Sequence, residues 1–456
     1  MPPILRWIAP PALALLIYWP GLIAWFQKDD FAWLGLYSMI HSPSDLWTAL
    51  FHPYAQGTVR TLSERAYFMV FYALFGMNAL PYHVLGFATQ FANLTLINLI
   101  CARLTGSTAA GFWAAILWVV NSNFAYALAW VAIYHQIMSA FVFLLALYFL
   151  IQFAETGQRK YLAAQWVVFL FGFGVQEINV VYPALAVAYA LCCARQVLRF
   201  VLPMFIPAIL YAAIHLAAAP LSADGPYKMH WDLSVFSTLW LYWKTALGPI
   251  KLINLGIHPS PGRSALASAL TIGLICFLAS QIQRRRWLTA FFASWFLILI
   301  APLLPLRDHF TDYYLTIPLI GLAMWGAWAI IRGWRQALPA RAVAILLTAI
   351  YLAVNIPLAR SNVNAFHKLA ARIQTMTEAV VQQHRLHPDQ PIMLTSVEPD
   401  LFWSAIVHKP FRLYGIDSIC LEPASRPVIE SVQPGQQIDA YFQCPDNAAP
   451  FSLRNW

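Results

Sequence analysis

Two adjacent carboxylates, Asp29 and Asp30, follow the first apolar run of the chain and precede the aromatic segment Phe31–Leu34. Neighbouring carboxylates at a membrane surface can act as a general base, as cation ligands or as hydrogen-bond acceptors for a hydroxylated substrate. The alternative is that one aspartate merely ends an apolar span and the second has no separate role. We treat both aspartates as candidate catalytic residues.

Glu177 is the only charged residue between Tyr161 and Ala194. A carboxylate deep in a bilayer is costly and marks a functional site by default. At the interface the cost is much smaller, because the side chain faces water. Both interpretations stay open, and Glu177 is kept as a candidate substrate-binding residue.

Basic residues also occur on the face that the topology below assigns to the outside. They are Arg60, Arg65, Lys228, Lys244, Lys251, Arg263 and Arg307. Orientation does not require them there, so a phosphate-bearing ligand would explain the set. For any single residue, pairing with an outer acid is the simpler explanation, as for Arg307 beside Asp308. Arg60, Arg65, Lys228 and Arg307 are the candidate phosphate ligands.

His83 and His135 lie at the outer ends of apolar spans. A lone histidine there is more often a hydrogen-bonded packing residue than a ligand, but both are kept as candidates for substrate binding. Neither histidine belongs to a zinc-type spacing, and the sequence predicts no metal ligands.

The composition makes lipid the solvent for much of the chain. Of 456 residues, 60% are hydrophobic and 10% charged, against about 25% charged in soluble domains. The net charge of +9 does not indicate nucleic-acid binding, because the basic residues form no single stripe. Eleven segments are predicted to cross the membrane: Trp7–Phe26, Pro81–Ala102, two within 104–154, Tyr161–Gln176, Ile178–Ala194, Phe200–Ala219, Ser264–Gln283, Trp287–Leu306, Tyr313–Ile331 and Ala342–Ala359.

Charge segregation predicts the orientation. With the N-terminus in the cytoplasm, the inner loops collect Arg103, Arg159, Lys160, Arg195, Arg199, the run Arg284–Arg286, Arg332, Arg335 and Arg341. Only Glu155 among the acids before residue 360 falls inside. The large loops 27–80 and 220–263 then lie outside, in a transmembrane module of residues 1–359.

Residues 360–456 are predicted to form a small extracytoplasmic α/β domain. It would contain an amphipathic helix, Ser361–Leu386, and strands at Ile392–Ser396, Phe411–Tyr414 and Ile438–Phe442. An oxidising compartment would permit a disulfide between Cys420 and Cys444. Spacing alone does not decide whether they are bonded.

Four features together resemble the GT-C superfamily of polyprenyl-phosphate-sugar-dependent glycosyltransferases, in its protein O-mannosyltransferase-like and bacterial family-39-like branches. The first is Asp29-Asp30 after the first span. The second is Arg60–Gly106, similar to the "alfG.n...yh" and "r.ltg" pattern. The third is Gly174-Val175-Gln176-Glu177 before Tyr182-Pro183, with Gln176 where lysine is usual. The fourth is Asp312-Tyr313-Tyr314-Leu315 before Pro318.

The sequence thus predicts an all-α polytopic membrane protein of about eleven helices, with the GT-C-like fold that the resemblance implies, and a small C-terminal α/β domain. It implies an inverting transferase acting at the non-cytoplasmic face of a bacterial inner membrane. The partners would be a polyprenyl-phosphate sugar donor, a glycan, lipid or protein acceptor, and the bilayer, with no nucleic acid. By this analogy Asp29, or failing that Asp30, is the general base.

One departure concerns metal and acceptor. Relatives often carry an acid in the turn after the third helix, whereas this chain has Asn121-Ser122-Asn123-Phe124-Ala125-Tyr126. The resemblance therefore implies no definite cofactor and leaves room for a divalent cation. Two alternative functions remain: a lipid or sugar transporter or flippase, and a non-catalytic scaffold with the GT-C fold.

Overall fold

The computed structural model describes residues 4–54, 57–253, 256–284, 286–432, 438–444 and 451–453, and they are mostly helical. The α-helices are α1 (Leu5–Leu22), α2 (Asp30–Gly35), α3 (Pro43–Phe51), α4 (Tyr67–Phe75), α5 (Leu80–Thr105), α6 (Thr108–Val119), α7 (Ala125–Ala129), α8 (Tyr134–Thr156), α9 (Arg159–Gly172), α10 (Tyr182–Cys193), α11 (Leu198–Val201), α12 (Phe205–Ala218), α13 (Ser234–Leu247), α14 (Arg263–Gln283), α15 (Leu288–Ile300), α16 (Pro318–Trp334), α17 (Leu338–Leu386), α18 (Pro399–Ser404) and α19 (Arg426–Val432). The strands are β1 (Ile250–Ile253), β2 (Gly256–Pro259), β3 (Ile392–Leu394), β4 (Ile419–Leu421) and β5 (Phe451–Leu453).

Apolar helices form because a backbone in lipid must satisfy its polar groups internally. Among the described residues, five helices are long and apolar enough to span a membrane, or six if the bent α6–α7 pair counts as one span. The chain is therefore an integral membrane protein. Each of the eleven predicted segments coincides with a helix, but several helices are too short to meet the length criterion. The count of eleven stays a prediction.

Small residues allow the helices of the bundle to approach closely. A Cβ atom on Gly111 of α6 would collide with the carbonyl oxygen of Asn98 on α5. A Cβ atom on Gly321 of α16 would lie 2.6 Å from the Cβ atom of Trp295 on α15. Both glycines are therefore required by packing, as in other membrane bundles.

Helix α17 joins the membrane bundle to the C-terminal unit. It runs for 49 residues without a break, about 74 Å at 1.5 Å per residue, which far exceeds the hydrocarbon core of about 30 Å. The predicted last span and the predicted amphipathic helix Ser361–Leu386 are thus parts of one helix. The predicted domain boundary between residues 359 and 360 therefore lies inside α17. Arg360 at this position donates hydrogen bonds to the carbonyl oxygens of Leu16 and Ile17 on α1.

The C-terminal unit (residues 387–453 as described) contains a parallel three-stranded sheet in the order β4-β3-β5. The strand prediction was right at β3 and wrong at the other two places. Phe411 and Tyr414 lie in a 3-10 helix, because Lys409 and Gly415 on either side adopt left-handed conformations with φ of 54° and 74°.

The prediction of a strand at Ile438–Phe442 was also wrong. The Asp439 carboxylate accepts from the Tyr441 amide, and the Asp439 carbonyl accepts from the Phe442 amide, which starts a short 3-10 helix. The sheet uses β4 and β5 instead. Cys420 of β4 is disulfide-bonded to Cys444, with Cα atoms 4.9 Å apart, so the structure resolves the alternative that spacing left open.

Removing this disulfide should loosen the C-terminal unit. The bond closes a loop with a sequence separation of 24 residues, and loss of such a link costs about 2–4 kcal/mol. We expect Cys420→Ser to increase the rate of limited proteolysis within residues 387–453, measured by mass spectrometry of the fragments. Cys276→Ser, which removes an exposed free thiol, is the control. Equal cleavage rates in both variants would show that the disulfide does not stabilise this unit.

Candidate functional site

The two adjacent aspartates occupy opposite environments. Asp30, the first residue of α2, is fully buried. Its Oδ1 atom accepts from the Ala132 amide at 2.7 Å, and its Oδ2 atom accepts from the Gln27 amide at 2.9 Å. Asp29 has a side chain that is 55% exposed. Asp30 therefore holds the first loop against the α7–α8 junction, and Asp29 is the carboxylate open to a ligand.

Lys28 precedes the aspartate pair in a left-handed conformation, with φ of 53°. Its Nζ atom lies 4.6 Å from the ring centroid of Trp130 and 5.2 Å from that of Tyr126, distances at which a cation is attracted by the ring faces. Burial lowers the pKa of Lys28 to about 8, although Asp29 and Asp312 act to raise it. The ammonium group is therefore a partly dehydrated cation beside the exposed carboxylate.

The C-terminal unit reaches the same loop. The Lys28 amide donates to the carbonyl oxygen of Ser404 at 2.6 Å, and the Nδ1 atom of His408 lies 3.6 Å from the Oδ1 atom of Asp29. Burial lowers the pKa of His408, while Asp29 acts to raise it. The imidazole is thus neutral at neutral pH, and it does not cancel the charge of Asp29.

Asp312 adds a buried acid to this region. It begins the 3-10 helix Asp312–Leu315 and is 1% exposed. Burial raises the pKa of Asp312 to about 8. The backbone amides of Asp312 and Tyr313 act to lower this pKa. Neither amide forms a hydrogen bond of good geometry with the carboxylate, whose two oxygen atoms are buried without a partner among the described residues. Lys28 also lowers this pKa electrostatically. Asp312 is therefore largely protonated at neutral pH.

Arg60 is the centre of a second cluster. Its Nε atom donates to the Oε2 atom of Glu177 at 3.0 Å, and its Nη1 atom donates to the Oε1 atom of Glu64 at 3.3 Å. Glu177 also accepts from the Val59 amide at 3.1 Å. Burial acts to lower the pKa of Arg60, but the carboxylates of Glu177 and Glu64 outweigh it and raise the pKa above its usual range. Burial raises the pKa of Glu64 to about 7.

His135 completes this second cluster from α8. Its Nδ1 atom lies 2.8 Å from the carbonyl oxygen of Ala132, which favours the tautomer with the proton on that nitrogen. The Nε2 atom is then free to accept from the Nη1 atom of Arg60 at 3.4 Å. The structure thus brings together Arg60, Glu177 and His135, three residues that the sequence singled out separately.

The two clusters lie close to one another, and we use the term cleft for the region between them. Burial raises the pKa of Tyr227, Asp29 raises it further and Arg60 lowers it, so both charges lie within electrostatic reach of the same phenol. The Tyr227 and His309 rings are in contact, with centroids 4.1 Å apart and planes tilted by 32°. The cleft therefore has a carboxylate, a guanidinium and a phenol around it.

Four of the sequence-predicted residues lie outside this cleft or are engaged elsewhere. Arg65 is buried and donates to the carbonyl oxygens of Ala49, His52 and Thr58. His83 is buried on α5. Arg307 pairs with Asp232 at 3.4 Å and with Asp308 at 3.6 Å. Lys228 is exposed, next to Tyr227. Their roles stay predictions.

Sequence reasoning missed several residues of the site: Lys28, Glu64, Asp312, Tyr227 and His408. For Glu64 a signal existed, because it lies four residues after Arg60. Asp312 lies in the quoted Asp312-Tyr313-Tyr314 motif, but its burial was not foreseeable. His408 is distant in sequence, and nothing in its neighbourhood indicates a contact with Asp29.

The described residues offer no group of three or more His, Cys, Asp or Glu side chains arranged to hold a metal ion.

Comparison with known proteins identifies the fold. No protein-family model matches the sequence, and no curated protein matches it. The structure is similar to an Archaeoglobus fulgidus oligosaccharyltransferase in complex with zinc and sulfate, with a TM-score of 0.52 and 12% identity, covering 86% of this chain and 60% of that one. It is also similar to ArnT from Cupriavidus metallidurans bound to undecaprenyl phosphate, with a TM-score of 0.50 and 13% identity, covering 94% and 88%.

A third similar structure is the Archaeoglobus fulgidus oligosaccharyltransferase AglB in complex with an inhibitory peptide and a dolichol-phosphate. Its TM-score is 0.51 at 11% identity, and the match covers 92% of this chain and 64% of that one. The chain thus spans about three fifths of the archaeal proteins' length. The predicted resemblance to the GT-C superfamily is confirmed at the level of the fold.

Breaking the Arg60–Glu177 pair should destabilise the protein. Glu177→Ala removes the acceptor of both Arg60 and the Val59 amide, and losing a hydrogen bond to a charged group costs about 1.5–3 kcal/mol. The control is Glu155→Ala, whose exposed pair with Arg103 at 3.4 Å contributes less than about 1 kcal/mol. Thermal unfolding of the purified protein, followed by intrinsic fluorescence, measures both. Equal shifts in melting temperature would contradict the prediction.

Asp312 should make stability depend on pH. The pKa of Asp312 is about 8 in the folded state, above its ordinary value of 3.8. Its contribution to the free energy of unfolding is therefore fully favourable below pH 3.8 and is lost as the pH rises through about 8. The Asp312→Asn side chain stays neutral at every pH. Between pH 5 and pH 9 we therefore expect the free energy of unfolding of Asp312→Asn to rise relative to that of the wild type by at least about 1 kcal/mol, which is less than the value of about 1.36 kcal/mol that one pKa unit represents.

Melting temperatures of both proteins across this range provide the measurement. Asp232→Asn is the control, because hydrogen bonds from Ser234 lower the pKa of Asp232 and confine its effect to more acid conditions. A constant difference between wild type and Asp312→Asn from pH 5 to pH 9 would show that Asp312 is ionised throughout.

Proposed function

We propose that this chain is a membrane glycosyltransferase that moves a sugar from a polyprenyl-phosphate-linked donor to a hydroxyl group of a glycan, lipid or protein. The observation that carries the proposal is the exposed Asp29 carboxylate on a cleft that also contains the Arg60 cluster. The fold supports it, since similar structures include ArnT bound to undecaprenyl phosphate and AglB in complex with a dolichol-phosphate.

Two residues that contact the clusters, Glu64 beside Arg60 and Trp130 beside Lys28, carry buried polar atoms without a protein partner. The Oε2 atom of Glu64 and the Nε1 atom of Trp130 are buried and have no hydrogen-bond partner among the described residues. Buried polar groups in folded proteins are almost always hydrogen-bonded. Hydroxyl groups of a sugar or an acceptor would satisfy both a carboxylate acceptor and an indole donor.

Asp29 acts as the general base in the proposed reaction. Its carboxylate takes the proton of the acceptor hydroxyl, whose oxygen forms a bond to the anomeric carbon of the donor sugar. The bond between that carbon and the phosphate oxygen breaks, and its electron pair goes to the phosphate. A single displacement inverts the anomeric configuration. The leaving group is a stable phosphate, so no protonated acid of the glycosidase kind is needed.

Arg60 and Lys28 stabilise the charge that develops on the phosphate. Arg60 is permanently protonated, and its Nη2 atom takes no part in the contacts with Glu177, Glu64 and His135. The Nζ atom of Lys28 lies among the rings of Tyr126, Trp130 and Phe366. Preorganised cations in a water-poor site are among the strongest sources of transition-state stabilisation. Glu177 and His135 position Arg60.

The proposed orientation places this cleft outside the cytoplasm, with the N-terminus inside and residues 360–456 in the periplasm of a bacterial inner membrane. The Cys420–Cys444 disulfide supports this side, because disulfides persist in oxidising compartments. The distribution of arginines on the opposite loops supports it as well.

The decisive experiment compares Asp29→Asn with Asp30→Asn in sugar release from a polyprenyl-phosphate hexose by the purified full-length protein. We expect Asp29→Asn to lower turnover at least about 100-fold, the contribution of a general base, with the melting temperature unchanged. Asp30→Asn should instead lower the melting temperature, because its amide cannot accept from both backbone amides as the carboxylate does.

Asp308→Asn is the matched control, since Asp308 is an equally exposed acid beside Arg307. It should leave turnover unchanged. Full activity of Asp29→Asn would reject Asp29 as the base. If the wild type binds lipid phosphate but turns over no donor, the protein is a transporter or a non-catalytic relative instead.

A further inference from the structure

A cavity of about 400 Å³ lies between α14, α16 and α17, within the size range of ligand sites. Its walls are apolar along most of their length, with Leu274, Phe277, Leu322 and Leu347 among the lining residues. Three glycines, Gly273, Gly326 and Gly333, also line the groove. The site proposed above uses none of these residues.

One end of the groove is strongly cationic. Arg284 and Arg332 line it together with Ser280, Gln281 and Gln336. Repulsion from Arg284, Arg286 and Arg335 acts on Arg332, and the Nε atom of Arg332 is buried without a hydrogen-bond partner among the described residues. None of the lining residues is acidic. The end of the groove therefore carries positive charge that the described protein does not neutralise.

The other end is closed. Trp118, Leu247 and Tyr351 line it, and each is at most 9% exposed. The Tyr351 hydroxyl group accepts a hydrogen bond from the Nδ2 atom of Asn121 at 2.9 Å, which fixes this wall. From Ala340 to Tyr351 α17 rises about 16 Å, roughly half of a hydrocarbon core about 30 Å thick. The groove is one leaflet deep.

We propose that this groove binds one anionic phospholipid of the leaflet next to the arginines, which the orientation above makes the cytoplasmic leaflet. The phosphate would receive hydrogen bonds from Arg284 and Arg332, and one acyl chain would fill the apolar part. The preference of basic residues for cytoplasmic loops would account for the arginines, but it does not account for the apolar cavity next to them. A polyprenyl chain would exceed the depth of one leaflet. This site is independent of the proposed transferase reaction.

The test measures lipid retention by the full-length protein. The protein is reconstituted in phosphatidylcholine discs containing a minority of phosphatidylglycerol and released in mild detergent, and bound lipid is identified by native mass spectrometry. We expect the wild type to retain one phosphatidylglycerol molecule. The double variant Arg284→Gln, Arg332→Gln should lose about tenfold or more of it.

Two further variants keep the result interpretable. Arg195→Gln with Arg199→Gln removes two exposed charges from the same predicted side without touching the groove, and it should retain the lipid. Gly273→Leu fills the groove, and its Cβ atom would meet the Cδ1 atom of Leu347 at 3.7 Å, an ordinary contact, so folding should persist while lipid is lost. Equal retention by all variants, selection of phosphatidylcholine, or retention of a polyprenyl phosphate would overturn the proposal.

Discussion

The buried Asp30 carboxylate is the interaction on which the arrangement of the cleft depends. It accepts hydrogen bonds from the amides of Gln27, five residues after the end of α1, and of Ala132, just before α8. Because one rigid acceptor joins two distant parts of the backbone, the intervening Lys28 and Asp29 have a defined place between them. The left-handed conformation at Lys28 is held by the same contact and by the hydrogen bond to Ser404. One aspartate of the pair thus positions the other.

The charged side chains of the two clusters are stabilised by partners or neutralised by burial. Arg60 is compensated by Glu177 and Glu64, and Asp312 is buried so fully that burial favours its protonated form. Removing one partner from such a cluster is costly, since it leaves an uncompensated charge in a poorly solvated place. This requirement explains why Glu177 tolerates a position between two apolar segments, because its partners Val59 and Arg60 come from the loop 27–80.

The C-terminal unit contributes to the same site. Helix α17 continues from the bundle into it without interruption, and His408 approaches Asp29 directly. The groove near Arg284 and Arg332 lies at the opposite end of the bundle, which is why we treat it as a separate lipid site.

The sequence by itself determined the membrane character, the positions of the helical segments and the prominence of Asp29, Asp30, Arg60 and Glu177. Hydropathy is a local property, so apolar runs predict helices in lipid whatever their neighbours are. The same local reasoning failed at Phe411–Tyr414 and Ile438–Phe442, because short strands in a small sheet depend on partners elsewhere in the chain. The periodicity of a few residues does not specify those partners.

Only the tertiary structure decided which aspartate is buried, that Arg60 and Glu177 are paired, and that Asp312 and His408 belong to the cleft. These relationships join residues separated by more than one hundred positions, and no local pattern encodes them. Adjacent residues leave the backbone in different directions, and one carboxylate becomes a backbone acceptor while the other meets water. The chemistry of the pair therefore depends on what the folded chain places beside each of them.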